Sequence, residues 1–198
     1  MSTRATIIPF RPRPQKPRKL ISNGVLGMVL FVFVEIMLFA GFISAFVIIK
    51  SRAIGSVWPP PNQPRLPFEQ TAVNTIALLA SGIVLFFAHR TFQRGNRAIG
   101  ALLALATLLG GAFVALQGVE WLALVREGLT ITSSTYGALF YTIIGAHALH
   151  AVAAIGALAW AFVRLMGDRL SREALSVVAL FWYFVVLVWP FLYFQVYL

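Results

Sequence analysis

The sequence predicts an all-α integral membrane protein built from five transmembrane helices, and three observations carry that reading. Hydrophobic residues make up 60% of the 198 and charged residues only 11%, against about 25% charged in soluble domains. Five apolar runs can each supply the ~20 residues that cross ~30 Å of hydrocarbon. Most of the bases lie at the ends of those runs, where charge sets topology. Inside lipid every backbone polar group must be satisfied within its own segment, so the runs are helices.

Residues 1–20 form a polar, basic arm in which Arg4, Arg11, Arg13, Lys16, Arg18 and Lys19 are interspersed with Pro9, Pro12, Pro14 and Pro17, and proline disfavours a helix there. The apolar run that follows is too long for a signal-peptide core and lacks a small-residue cleavage site. The arm is therefore expected to lie on anionic headgroups, on a partner or in solvent. The transmembrane domain takes up 21–198, with helices expected at about 24–49, 70–89, 98–125, 134–164 and 174–198. The second ends in His89-Arg90, and the third is interrupted only by Glu120. Trp58-Pro59-Pro60-Pro61 through Pro67 is the one long connection, and its prolines favour an extended, stiff path. No internal repeat divides the chain.

With the N-terminus cytoplasmic, the inner side holds twelve bases: the six of the arm, then Arg90, Arg94, Arg97, Arg164, Arg169 and Arg172. The outer side holds Lys50, Arg52, Arg65 and Arg126. This imbalance is a positive-inside signal, and five crossings put the C-terminus outside. The same placement accounts for the net charge of +10 and argues against nucleic acid as a partner. The absence of cysteine removes disulfides, iron–sulfur clusters and thiolate-bound copper.

The first helix contains GMVLFVFVEIMLFAGFISAF, residues 27–46, with Glu35 near its middle. An acid at a helix centre in lipid costs roughly 2.5–3.5 kcal/mol on insertion scales, so a partner or a function is expected. At 100° per residue Gly24, Met28, Phe42 and Phe46 fall within about 20° of its direction. A rise of ~1.5 Å per residue puts Glu35 ~16 Å into the bilayer, near the midplane. Donors must compensate the carboxylate there, or a proton must neutralise it.

His147 and His150 in GAHALHA are three residues apart on one helical face, and a helix starting near Ser134 puts His147 ~20 Å below the outer surface. An embedded polar cluster of Glu35, His147 and His150 is therefore geometrically allowed. The bland reading of the histidines is interhelical hydrogen bonding; a lone haem ligand, a lipid-phosphate contact and proton handling are the alternatives. Glu120, three residues after Gln117, sits near a helix end and reads with it as a structural hydrogen-bonding pair. His89 and Arg90 read as lipid-headgroup contacts. No Glu-x-x-His pair for a di-iron bundle and no His-Glu-x-x-His zinc motif occurs. Trp189, Tyr193 and Tyr197 suit an outer aromatic belt.

These segments, in this order, resemble subunit III of the haem–copper terminal oxidases (cytochrome c or quinol oxidase) in its short five-helix bacterial form. The resemblance covers roughly residues 24–198. It rests on GMVLFVFVEIMLFAGFISAF, WPP followed by LPFEQTAVNTIALLASGIVLFFAHRTFQRGNR with its N-T-x-x-L-L-x-S-G core, QGVEW, GAHALHA and FWYFVVLVWPFLYFQVY. It implies a non-catalytic subunit without a redox cofactor of its own, haem and copper lying in partner subunits. Such a chain docks on oxidase subunit I, contacts other oxidase subunits, holds phospholipids in a cleft, and supports proton uptake and durability during turnover. A respiratory supercomplex is a further partner in this reading, and the location implied is a prokaryotic inner membrane. Where the family usually reads Trp-His-Phe-Val-Asp in its last helix, this chain has Trp182-Tyr183-Phe184-Val185-Val186. Two polar partners of Glu35 are thereby lost, leaving the histidines, Tyr183 or water. The alternatives are the related accessory subunit of nitric oxide reductase and a small independent transporter or proton channel. The WPP loop and the L-P-x-E entry favour the oxidase over the first; the lack of inverted repeats and broken helices counts against the second.

Overall fold

A computed structural model describes residues 21–52, 58, 63–96 and 98–197; the basic arm, the triple proline, Arg97 and Leu198 lie outside the described residues. Five helices follow in order: α1 (Asn23–Arg52), α2 (Phe68–Gln93), α3 (Ile99–Arg126), α4 (Thr135–Met166) and α5 (Arg172–Tyr197). All five are long and apolar enough to cross a membrane, and no strand occurs among the described residues. Several run a few residues past the expected ends, α1 to Arg52 and α2 to Gln93. Hydropathy marks the hydrocarbon zone, whereas the backbone ladder continues into the polar zone beyond it.

Helices α2, α3, α4 and α5 form a closed ring of neighbours, and α1 packs outside it, on α5 and more lightly on α4. The placement of α1 follows from its seam. Val25, Met28, Val32, Glu35, Phe39, Phe42 and Phe46 are among its half-buried or buried positions and are spaced alternately three and four apart, as in a coiled-coil stripe. At the start of α1 the Gly24 N–H donates to Glu173 Oε1 at 3.0 Å, so a carboxylate in the first turn of α5 satisfies an orphan donor of α1.

α5 is the hub. Its buried residues, among them Leu175, Trp182, Val185, Val186, Trp189 and Leu192, form one broad face, Phe184 is buried on another side, and the helix packs on α1, α2 and α4. The N-T-x-x-L-L-x-S-G stretch of α2 is the face turned toward α3 and α5. Asn74 Nδ2 donates to the Phe113 carbonyl and to Gln117 Oε1, both at 3.2 Å. Thr75 Oγ1 accepts from Trp189 Nε1 at 2.8 Å, Leu78 is fully buried, and Ser81 Oγ accepts from Trp182 Nε1 at 2.8 Å. Small residues let the large ones in: a Cβ on Gly110 would lie 2.5 Å from the Trp182 ring, and one on Gly82 3.0 Å from Val186.

Trp189 is thus an interior residue, 1% exposed, and not part of the expected aromatic belt, because its indole N–H finds a hydroxyl only inside the bundle. Tyr193 is likewise tied to α2, donating to the Phe68 carbonyl at 2.9 Å. The turn after α3 closes through Gly128 at φ +94, with the Leu129 N–H donating to the Leu124 carbonyl at 2.9 Å. That bond and the left-handed residue make a Schellman ending. Ser134 then caps α4, accepting from the Gly137 N–H at 3.0 Å.

Two adjacent glycines test this packing. Gly110→Ala is expected to lower stability by about 1–3 kcal/mol, because the Trp182 ring must shift within a filled core. Gly111→Ala meets nothing within 4 Å and should be neutral or stabilising by up to about 1 kcal/mol, from the higher helix propensity of alanine. Thermal unfolding of both variants in detergent checks the contrast.

Candidate functional site

The embedded acid meets one of its two expected imidazoles. Glu35 lies twelve residues into α1, ~18 Å from its start, and His150 fifteen residues into α4, ~22 Å from the opposite end. Helices that cross in opposite senses therefore bring both to the middle of the bundle. Glu35 Oε2 is 3.0 Å from His150 Nε2, with the two side chains 14% and 15% exposed. It is the one ion pair found among the described residues. The ring N–H axis does not line up with the oxygen, so Oε2 has no in-line hydrogen-bond donor.

The other ring nitrogen fixes the tautomer. His150 Nδ1 is 2.7 Å from the Ala146 carbonyl, which can only accept, so Nδ1 carries a proton. The proton that neutralises the pair then sits on His150 Nε2 or on the Glu35 carboxyl. Either form is neutral overall, whereas a carboxylate beside an uncharged imidazole would leave a bare anion in hydrocarbon, at high cost.

Aromatic rings wall the pair. Phe39 packs against His150 at 5.6 Å and His147 at 6.2 Å between ring centroids, and Phe181 and Phe184 flank His150 at 6.3 and 6.0 Å. His147 is brought close but not into contact with the acid. It is 2% exposed and lies against the Trp189 ring at 5.0 Å, with Nε2 unpartnered. Three residues along a helix is a turn of about 60°, which here separates the α1-facing side of α4 from the side facing α3 and α5. Tyr183 offers Glu35 no bond: its hydroxyl is buried and unpartnered. Val186, at the other departure from the family pattern, fills the space over Gly82.

Gln117 and Glu120 belong to a second polar group, where α2 begins and α3 ends. Glu120 Oε2 accepts from Gln117 Nε2 at 2.7 Å and lies 2.8 Å from Thr71 Oγ1. Thr71 is also 3.0 Å from the Pro67 carbonyl, so its one proton is shared between them. Gln117 reaches Tyr197 at 3.3 Å as well. His89 faces inward, its Nε2 3.0 Å from Ser176 Oγ of α5, an interhelical tie where the sequence suggested a headgroup contact. Arg90 is exposed, its guanidinium 4.6 Å over the Phe86 ring. Sequence reasoning did not single out Thr71, Asn74 and Ser81 as ligands of other helices. The signal was present in their spacing on one face of α2, with Gln117 and Glu120 on α3 and Trp182 on α5 as partners.

This is a multi-pass membrane protein whose interior polar groups include one acid–imidazole pair and one amide–carboxylate network. Among the described residues no group of three or more His, Cys, Asp or Glu side chains could hold a metal ion. The chain belongs to the cytochrome c oxidase subunit III family, whose model matches residues 17–198. It is 34% identical over 185 residues to cytochrome c oxidase subunit 3 of Pelomedusa subrufa, covering 89% of this chain and 69% of that one. With the subunit 3 proteins of Formosania lacustris and Carassius auratus it shares 36% over 180 residues, 86% of this chain and 67% of each. Subunit III carries no redox cofactor and is not catalytic by itself; it works in a complex with other oxidase subunits.

Gln117 is bonded to Asn74, Glu120 and Tyr197 together, so Gln117→Leu should be the most damaging single change in the second network. The expected loss is about 1–3 kcal/mol, the cost of leaving buried polar groups unpaired. Thr107→Val, which removes a hydroxyl bonded only to the Leu103 carbonyl of its own helix, should cost less. Unfolding of both variants in the same detergent ranks them.

Proposed function

We propose that this subunit III stabilises the catalytic subunit I of its oxidase, holds structural phospholipid and supports proton uptake. The observation that carries the proposal is the Glu35–His150 contact at 3.0 Å. A protonatable pair retained near mid-membrane at a cost of several kcal/mol marks a functional site by default.

The lipid role draws on two features. An apolar groove of about 410 Å³ runs between α1 and α5 past Ile36, Phe39, Ile43, Tyr183 and Leu187, a shape suited to an acyl chain. At the ends of the helices Arg90, Arg94, Arg164, Arg169 and Arg172 form a basic rim for anionic headgroups. Arg90 belongs to that rim, while His89 serves the bundle through Ser176. The charge imbalance supports a cytoplasmic N-terminus and an external C-terminus. With the short five-helix form, it favours a prokaryotic inner membrane. Subunit I is the main protein contact in this reading, and a supercomplex would add others.

Oxidase stripped of this chain is expected to keep its haem spectrum and initial rate of electron transfer but to lose activity faster during turnover. Loss of a haem together with the chain would overturn the accessory reading. Glu35→Gln should incorporate normally and alter proton uptake or turnover lifetime modestly. Glu35→Ala should assemble no worse, since it also removes the buried polar group. Failure of Glu35→Gln to insert would instead make the carboxyl a structural requirement.

A further inference from the structure

The connection between α1 and α2, with its WPP motif, has no part in the roles proposed above. Trp58 of that motif is half-buried and stands between two helices. Its ring meets Phe46 of α1 at 6.0 Å between centroids and Tyr136 of α4 at 5.4 Å, with interplanar angles of 78° and 89°. Both contacts have the edge-to-face geometry that aromatic pairs prefer. Phe46 is 1% exposed and Tyr136 3%, so the indole joins two buried rings on different helices.

The helices so joined are the ones that carry Glu35 and His150. They touch each other only lightly, α1 leaning mainly on α5. Phe46 follows Glu35 by eleven residues, which on a helix is ~16 Å along the axis and within about 20° of the same direction. A slip or rotation of α1 that takes Phe46 off the indole therefore also carries Glu35 away from His150, whose Nε2 lies 3.0 Å from Oε2. The seam of α1 resists such a slip weakly. Its spacing of three and four nearly matches itself one turn, ~5.4 Å, further on, and in lipid apolar burial favours no one docking over another. On the α4 side the anchor is firm. Ser134 caps the helix, and Gly137 packs so closely on the Thr130 carbonyl and Ser133 Oγ that a Cβ would overlap them. Ser133 Oγ also lies 3.3 Å from Gln63 Oε1, so the same connection meets the start of α4 a second time.

We infer that Trp58 is a positioning residue for the Glu35–His150 pair, an aromatic brace between the last turns of α1 and the first turn of α4 that keeps the acid in line with the imidazole. The other end of α1 is held by Glu173, so the pair lies between two anchors. The inference rests on the geometry of the pair and not on its part in proton uptake.

Electron cryomicroscopy of the complete oxidase in lipid nanodiscs, carrying Trp58→Ala or Trp58→Phe, tests it through the separation of Glu35 and His150. Trp58→Phe is expected to keep the contact. Trp58→Ala is expected to lose it, Oε2 and Nε2 moving beyond the ~4 Å of an ion pair. If Trp58→Ala does not incorporate, Trp58→Leu, which keeps apolar volume without a ring, is read by the same criterion. An unchanged contact in the ringless variant overturns the inference, and so does failure of both to incorporate, which would make Trp58 a folding requirement. Infrared difference spectra against Glu35→Gln in each background isolate the Glu35 carboxyl in the assembled enzyme. Its band is expected to shift in the ringless variant and to stay native in Trp58→Phe; a mere loss of stability would leave it in place, and an unmoved band refutes the positioning role.

Discussion

The structure depends on neutralising one carboxyl group where there is no bulk water to do it. Glu35 is bearable at the middle of α1 because His150 stands 3.0 Å away with its far nitrogen pinned to the Ala146 carbonyl. One proton kept in this pair makes it neutral in either form, and hydrocarbon accepts a neutral pair far more readily than an isolated charge. The contact adds one polar tie to α1, a helix with only two buried residues. Its other anchors are an apolar seam along α5 and the Glu173 carboxylate over its first turn.

The same constraint organises the rest of the bundle. Hydrophobic burial gives little preference between helix and lipid, so close packing and interhelical hydrogen bonds must choose the partners. α5 meets this with two indoles that donate to Ser81 and Thr75 on α2 and with the Trp182 ring and Val186 packed over Gly110 and Gly82. α3 meets it through Gln117, whose amide serves three neighbours. Polar groups are few, and most of them tie one helix to another.

Much of this was legible in the sequence. Composition and run length gave the five helices, and the depth of Glu35 and the histidines, counted by helical rise, brought them to one level. What could not be read was the rotation of each helix about its axis. The spacing of His147 and His150 put both on one face, yet only His150 reaches Glu35, while His147 lies against Trp189. For the same reason Trp189 looked like an interfacial residue, although its indole donates into the bundle, and the contact of His89 with Ser176 was not foreseen. Asn74, Ser81 and Thr71 gave no sign in isolation, because a short polar side chain in a membrane helix is equally able to bond its own backbone.

The central claim is that one proton always accompanies the Glu35–His150 pair. Nitrogen-15 NMR of histidine-labelled oxidase in lipid, compared with Glu35→Gln, measures it most directly. The account predicts a protonated, hydrogen-bonded Nδ1 on His150 at neutral pH, with the further proton on Nε2 or on the Glu35 carboxyl. An ionised Glu35 beside an uncharged His150, or an Nδ1 without a proton, would contradict it.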